Sequence, residues 1–282
     1  MEDIFLPAII MGILGLGFGL TLAWLAKKFA VEENPLVQKI LDLLPGANCG
    51  ACGYPGCVGL AEKIATQEAP MNACPVGGPK TWAEIARLLG NHEEFRFESK
   101  KAVLVCQGGK GVAQEIASYR GVKNCRAYKL LGVSARVCRY GCIGLGTCEE
   151  VCPFSAITMD RESGLPVISP EKCTGCGKCV TECPQGVLVL VPDREQVLVA
   201  CVSKESGKVV RQACLRGCIK CQLCVKTCPE KAIRFEKEII HIDQEKCTLC
   251  GLCVEKCPTH CLVRIFEESS VSPVSEAQVE VK

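Results

Sequence analysis

Aromatic side chains are scarce in this sequence: phenylalanine, tyrosine and tryptophan make up 5% of its 282 residues. That is little for a protein that must build its own hydrophobic core from large apolar side chains. One-sided charge is also missing, since the net charge at pH 7 is only +2. Because nucleic-acid binding depends on a strongly basic surface, the composition predicts no nucleic-acid partner.

Motifs that bind nucleotide cofactors are missing as well. The glycines of segment 15–19 lie in an apolar run and do not form G-x-G-x-x-G, and segment 108–111 does not match the P-loop. The three histidines, His92, His241 and His260, do not stand with cysteine in a Rieske-like arrangement. The sequence therefore predicts no flavin or nucleotide site, so any two-electron chemistry must take place on another chain.

One long uncharged run stands at the N-terminus. Residues 4–26, 23 in all, carry no charge and are followed by Lys27 and Lys28. A helix of that length reaches about 34 Å, enough for a hydrocarbon core of about 30 Å. Glu2 and Asp3 occupy the place of a basic n-region, which argues against a cleaved signal peptide. We expect a single-pass membrane anchor over residues 1–28, with the N-terminus outside and the rest cytoplasmic.

Cysteine is the residue in excess. The 25 cysteines crowd into C-x-x-C runs whose neighbours cannot all pair with one another. The odd count, in a long chain without a visible signal peptide, argues against a disulfide framework and for reduced thiols that bind metal. Because metal binding contributes to folding free energy, cysteine-bound inorganic cores would compensate for the few aromatic side chains.

Three runs have the spacing C-x2-C-x2-C-x3-C-P, and they begin at Cys173, Cys218 and Cys247. Three thiolates in so tight a loop can bind three irons of one [4Fe–4S] cubane, while the cysteine before the proline reaches the partner cluster in two-cluster ferredoxins. Structural zinc also uses C-x2-C pairs, but it does not need this longer run. The runs therefore predict iron–sulfur clusters.

An internal repeat organises these runs. Segment 138–153 aligns without gaps on segment 214–229, and each is followed by an Ala-Ile pair, an apolar stretch and Glu-Lys-Cys. The chain thus carries two copies of a two-cluster module. The first copy departs from the pattern because Leu145 stands where the second has Cys221. Either this site is degraded or empty, or Cys138 supplies the missing ligand; we favour the replacement, since it restores four cysteines.

A separate set of four cysteines precedes the repeat. Cys49, Cys52, Cys57 and Cys74 are interleaved with glycines, as expected where the backbone turns tightly around a metal core. Zinc is the alternative for this set. Five cysteines remain, of which the first four are candidates for a sixth cluster and all five have the alternative of being buried apolar thiols: Cys106, Cys125, Cys201, Cys214 and Cys261.

Two resemblances follow from these motifs. The complete runs resemble bacterial two-cluster ferredoxins. The chain up to about residue 266 resembles the B subunit of the Rnf complex, an ion-translocating ferredoxin:NAD oxidoreductase of bacterial membranes. That resemblance is carried by the N-terminal helix with segment 27–35, by Asn-Cys-Gly-Ala-Cys-Gly-Tyr-Pro-Gly-Cys at 48–57, and by segment 257–261. Shorter members have one ferredoxin module, so residues 96–212 look like an added one.

The ferredoxin resemblance implies crossed ligation, in which the last cysteine of each run binds the partner's cluster. With the N-terminal set this predicts five [4Fe–4S] clusters and leaves a sixth open. The implied sets are Cys218, Cys221, Cys224 with Cys257; Cys247, Cys250, Cys253 with Cys228; Cys138, Cys142, Cys148 with Cys183; and Cys173, Cys176, Cys179 with Cys152.

The Rnf resemblance implies an α+β protein that takes electrons from soluble reduced ferredoxin and passes them to other Rnf subunits in the inner (cytoplasmic) membrane. The chain would be a subunit of an Na⁺- or H⁺-transporting translocase without a catalytic site of its own. An electron-transfer subunit of a membrane-bound hydrogenase or formate dehydrogenase is the alternative. The expected parts are an anchor (1–28), a helical cluster domain (29–95), two ferredoxin-like modules (96–212 and 213–266) and a disordered tail (267–282).

Overall fold

The computed structural model describes residues 2–28, 34–91 and 99–266. Its first helix, α1 (Glu2–Lys28), includes the expected uncharged run. Within it, Ile9–Lys28 is the one stretch of the described residues that is long and apolar enough to cross a membrane, and none of its hydrophobic window is buried against the protein. Full exposure of such apolar side chains is what a lipid-facing helix requires. The predicted tail, 267–282, lies outside the described residues.

Three helices form a small domain after α1: α2 (Pro35–Leu43), α3 (Gly56–Ala65) and α4 (Gly78–Leu88). Helix α2 begins at Pro35, because the Asn34 side chain accepts a hydrogen bond from the Leu36 N–H at 2.9 Å. Helix α4 begins at Gly78 and has a proline in its first turn. The core between them contains the fully buried side chains Ile40, Leu60, Ile64 and Ile85.

The first module contains four strands and three short helices. In chain order they are β1 (Lys100–Leu104), α5 (Cys125–Leu130), α6 (Thr147–Glu150), β2 (Ile157–Met159), β3 (Pro166–Ile168), α7 (Lys178–Glu182) and β4 (Leu188–Pro192). The second module repeats the plan with β5 (Gln196–Val199), α8 (Gly207–Ala213), α9 (Leu223–Thr227), β6 (Ile233–Glu236), β7 (Ile239–Ile242), α10 (Leu252–Glu255) and β8 (Leu262–Ile265).

Each module has two antiparallel strand pairs. In the first, β1 pairs with β4 and β2 with β3; in the second, β5 pairs with β8 and β6 with β7. The boundary predicted after residue 212 therefore differs from the structure, because β5 belongs to the second module through its register with β8. The repeat divides between β4 and β5. The segment between β4 and β5, residues 193–195, is short, and no shift in composition marks it as a domain boundary.

Cysteines form much of the core of both modules. In the first, Cys173 and Cys179 are buried beside Ile157 and Leu188. In the second, the buried core includes three cysteines of the runs: Cys224, Cys253 and Cys257. Cysteines that are predicted to bind metal thus occupy core positions in both modules, which agrees with the low aromatic content.

Candidate metal centres

Each cysteine run wraps a tight loop that ends in a short helix. A residue with left-handed backbone opens each helix: Gly146 (φ 79°) before α6, Gly177 (φ 79°) before α7, Gln222 (φ 58°) before α9 and Gly251 (φ 80°) before α10. The third cysteine of the run lies in the first turn of that helix in every case. This shared turn explains why glycine occupies three of the four positions, since glycine adopts positive φ without strain.

The Cys218 set (Cys218, Cys221, Cys224, Cys257) comes together as the ferredoxin resemblance implied. Burial, and then the proximity of Cys218, Cys221 and Cys257, raise the pKa of the Cys224 thiol to about 11. The Cys247 set (Cys228, Cys247, Cys250, Cys253) behaves in the same way. Burial, followed by the neighbouring Cys247, Cys250 and Cys228, raises the pKa of Cys253.

The Cys173 set (Cys152, Cys173, Cys176, Cys179) lines one cavity between β1 and the start of α7. The Ala102 N–H donates to the Cys173 sulfur at 3.4 Å, and the Ala156 N–H donates to the Cys152 sulfur at 3.3 Å. Backbone N–H···S bonds of this kind stabilise negative charge on thiolate ligands. The predicted grouping of these four cysteines therefore agrees with their positions.

The N-terminal set (Cys49, Cys52, Cys57, Cys74) lies at one end of the three-helix domain. Cys57 is in the first turn of α3, where the Asn48 side chain accepts a hydrogen bond from its N–H at 2.8 Å. Cys74 is held by two contacts: the Gly77 N–H donates to its sulfur at 3.3 Å, and the Trp82 indole donates to its carbonyl at 2.7 Å. Burial is the main cause that raises the pKa of the Cys74 thiol, and the nearby Cys52 and Cys57 raise it further.

The first-module run lies beside a different cysteine from the one expected. Cys125, Cys142, Cys148 and Cys183 line one cavity, and Cys138 does not. Burial, and then the neighbouring Cys125, raise the pKa of Cys148 to about 11. The Cys125 N–H donates to the Thr147 hydroxyl at 2.8 Å, which ties α5 to the loop of the run. The predicted replacement for the cysteine missing at Leu145 was Cys138, and the structure corrects this, because Cys125 lies beside the run instead. We call Cys125, Cys142, Cys148 and Cys183 the Cys142 set.

Cys138 instead joins Cys106, Cys201 and Cys214 around a second cavity, between the two modules. We call these four the middle set. The N–H groups of Gly108 and Cys142 both donate to the Cys106 sulfur at 3.4 Å. A Cβ on Gly108 would stand 3.5 Å from the Cys214 sulfur, and a Cβ on Gly141 3.6 Å from the Cys138 sulfur. Both glycines therefore line the cavity at van der Waals distance from its thiols.

The sixth group predicted from the sequence contained Cys125, whereas the middle set contains Cys138 in its place. Cys125–Cys138 and Cys201–Cys214 have the same separation along the chain, but the structure shows that the two pairs are not equivalent. The equivalent of Cys201 is Cys106, because each lies two residues after a strand, β5 or β1, that pairs with the last strand of its module. Between Cys106 and Cys138 the first copy has 31 residues, against 12 in the second, so its insert carries Cys125.

Close pairs of cysteines connect five of the six sets in series. The Cys142 N–H···Cys106 contact joins the Cys142 set to the middle set, and the Arg136 guanidinium bridges the same two loops by donating to the Gly108 carbonyl at 2.8 Å and the Cys142 carbonyl at 2.9 Å. The other pairs are near enough for one thiol to shift the pKa of the next. They are Cys49–Cys176, Cys148–Cys179 and Cys201–Cys218.

The cysteine groups fit cubanes better than single ions. Within residues 2–28, 34–91 and 99–266, no three His, Cys, Asp or Glu side chains converge closely enough to hold one metal ion. Tetrahedral zinc needs its ligands on a single centre, whereas each thiolate of a [4Fe–4S] cluster binds its own iron. Each group offers the four thiols that a [4Fe–4S] cluster takes from a Cys₄ site.

Comparisons with known protein families identify iron–sulfur domains in three segments of the chain. A family model described as "Putative Fe-S cluster" matches residues 44–76, and one described as "4Fe-4S dicluster domain" matches residues 137–187 and again 217–261. These matches cover the N-terminal set and the runs of both modules. They support an iron–sulfur domain followed by two ferredoxin-type dicluster domains.

Relatives with curated names match most of the chain. The B subunit of the Na(+)-translocating ferredoxin:NAD(+) oxidoreductase complex of Acetobacterium woodii is 45% identical over 247 residues, covering 88% of this chain and 74% of the relative. The B subunit of the ion-translocating oxidoreductase complex of Methanosarcina acetivorans is 44% identical, with 83% and 89% covered. The B subunit of the proton-translocating ferredoxin:NAD(+) oxidoreductase complex of Clostridium ljungdahlii is 39% identical, with 88% and 87% covered.

Proposed function

Because the chain belongs to the B-subunit family of ion-translocating ferredoxin:NAD(+) oxidoreductase (Rnf) complexes, and is thus an iron–sulfur electron-transfer subunit, we propose that it holds six [4Fe–4S] clusters in series. When bound, each cluster supplies a site that accepts and releases one electron. Membership of this family also decides against the hydrogenase and formate dehydrogenase alternative.

Twenty-four of the 25 cysteines are ligands in this proposal. The six sets each contain four thiols, which is the number that a [4Fe–4S] cluster takes from Cys₄ sites. In series they are the N-terminal set, the Cys173 set, the Cys142 set, the middle set, the Cys218 set and the Cys247 set. The observation that carries the proposal is the middle set, because it joins two modules that would otherwise be separate.

The two ends of the series have different surroundings. The N-terminal set belongs to the domain that directly follows α1, so this end is tethered to the membrane. At the other end, Cys221 and Cys250 are exposed, whereas no cysteine of the first module is. An exposed cluster edge allows close approach of a soluble partner. We therefore assign the second module as the docking end for reduced ferredoxin and the N-terminal domain as the end facing other Rnf subunits.

The proposed orientation follows from charge at the end of α1. Lys27 and Lys28 form its last turn, and the Lys28 ammonium lies 4.9 Å from the centre of the Trp24 ring. Lysines and a tryptophan are typical of the membrane–water interface, and lysines favour the cytoplasmic side. The cluster domains would then lie in the cytoplasm, where soluble ferredoxin is present.

Iron and acid-labile sulfide analysis of the full-length chain, purified without oxygen, tests the number of clusters. Six cubanes predict about 24 iron atoms per chain. A value of about 20 would remove the middle cluster from the proposal, and stoichiometric zinc would contradict the cluster assignment of at least one set. Cys106→Ala serves as the matched variant and should lower the iron content by about four.

A further inference from the structure

Cys261 is the one cysteine outside the six sets, yet it contacts two of them. It lies directly before β8 and is 1% exposed. Its N–H donates to the Cys257 sulfur at 3.3 Å, and its carbonyl accepts a hydrogen bond from Ala200 at 2.8 Å. Its thiol is hydrogen-bonded with the side chains of Cys201 and Cys218. One residue thus touches a thiol of the middle set and two thiols of the Cys218 set.

The first module has valine at the equivalent position. Val187 precedes β4 as Cys261 precedes β8, and its carbonyl accepts from the Val105 N–H at 2.8 Å, matching the Ala200–Cys261 bond. Val187 is also 1% exposed and packs against Cys106 and Cys142. The middle set is therefore flanked by two equivalent side chains, of which only Cys261 carries a hydrogen-bond donor.

The electrostatic consequence falls on the two thiols that Cys261 contacts. Cysteines bind iron as thiolates, so Cys201 and Cys218 carry no proton as ligands, whereas the Cys261 sulfur, which binds no iron in this assignment, keeps its own. The hydrogen bond from Cys261 therefore stabilises negative charge on both sulfurs. Lys220, which corresponds to Gly144 of the first module, also favours negative charge on Cys201 and Cys218.

We propose that Cys261 is a positioning residue whose thiol shares its proton between Cys201 and Cys218 and thereby raises the reduction potentials at the middle set and the Cys218 set. A donor to a ligand sulfur stabilises the more negative, reduced state of a cluster. A thiol has a single proton, so the bond goes to one sulfur at a time and favours whichever neighbour carries the extra electron. This inference rests on the six-cluster assignment above.

The test compares Cys261→Val, which copies the first module, with Cys261→Ser, which retains a donor. Iron content and potentials from titrations followed by electron paramagnetic resonance are measured on the full-length protein. Cys261→Val should keep all iron and lower the potentials of two clusters by about 59 mV each, a tenfold change in a one-electron equilibrium. Cys261→Ser should remain closer to the unaltered protein. Cys261→Ala adds no bulk to the core and therefore serves as a second variant in case valine disrupts packing. It should lower the same two potentials.

A second background separates this inference from the cluster count. In Cys138→Ala, which removes a ligand of the middle set, Cys261→Val should shift one potential instead of two. Loss of about four irons in Cys261→Val or Cys261→Ala would identify Cys261 as a ligand and overturn the inference. Unchanged potentials with full iron would overturn it as well. An unaltered protein with about 20 irons would instead contradict the six-cluster assignment, independently of Cys261.

Discussion

The two modules contain the same ligand loop, but only the second has a full set of cysteines within it. Gly144 (φ 82°) and Gly146 (φ 79°) in the first loop correspond to Lys220 (φ 57°) and Gln222 (φ 58°) in the second, so the backbone turns in the same way. Between them stand Leu145 and Cys221. The comparison indicates that the shape of the loop does not depend on a cysteine at the second position of the run, so that ligand could come from elsewhere in the chain.

The insert of the first module, which carries Cys125, is held beside the loop that has Leu145 in place of a cysteine. Besides the Cys125–Thr147 hydrogen bond, Arg126 pairs with Glu182 at 2.9 Å and Lys129 donates to the Gln185 side chain at 2.6 Å. These contacts hold α5 against α7 and the segment after Cys183. The second module lacks the insert, and its Cys221 is exposed. The insert therefore covers one run and leaves the other open to solvent.

The largest effect is expected from Cys125→Ala, which should remove about four irons, one whole cluster, because three thiolates rarely hold a cubane. Leu145→Cys in the same background should restore them, since the loop already has the conformation that presents Cys221 in the second module. Iron analysis of both variants measures this. Cys221→Ala, the matched change in the second module, should also lose about four irons. Retention of full iron in Cys125→Ala would show that another residue completes the run.

Cys138 and Cys214 occupy equivalent positions in the repeat and both belong to the middle set, so removal of either should cost the same cluster. Each single alanine variant should lose about four irons, and the double variant should lose no more, because both thiols belong to one set. Leu145→Cys should not rescue Cys138→Ala. If the double variant lost about eight irons, the two cysteines would bind different clusters, and the middle set would be wrong.

A smaller effect is expected from Thr147→Val. The change removes the hydroxyl that accepts the Cys125 N–H and so leaves a partly buried donor without a partner, at a cost of about 1 kcal/mol. Iron release to a chelator from one cluster should then be about fivefold faster. Leu223, which is exposed, aligns with Thr147 in the second module. Leu223→Val is the control and should leave the rate of iron release unchanged. Equal rates in all three proteins would mean that the Thr147 contact does not hold Cys125 in place.

Local features of the chain were predictable wherever spacing alone decides them. The uncharged run of α1, the three complete runs and the four-cysteine N-terminal set are all patterns of residue types close together in the sequence. In such runs the ligands lie on one tight turn, so the sequence separation limits their distance in space. The crossed pairing, in contrast, was implied by the resemblance to two-cluster ferredoxins and not by spacing alone.

The grouping of the separated cysteines required the tertiary structure. Equal spacing along the chain favoured Cys125 as the partner of Cys201 and Cys214, yet strand pairing makes Cys106 the counterpart of Cys201 and brings Cys138 to the middle set. The same pairing moved β5 into the second module. An insert adds residues between two ligands without moving the strand and the loop that hold them, so separation along the chain no longer measures distance in space.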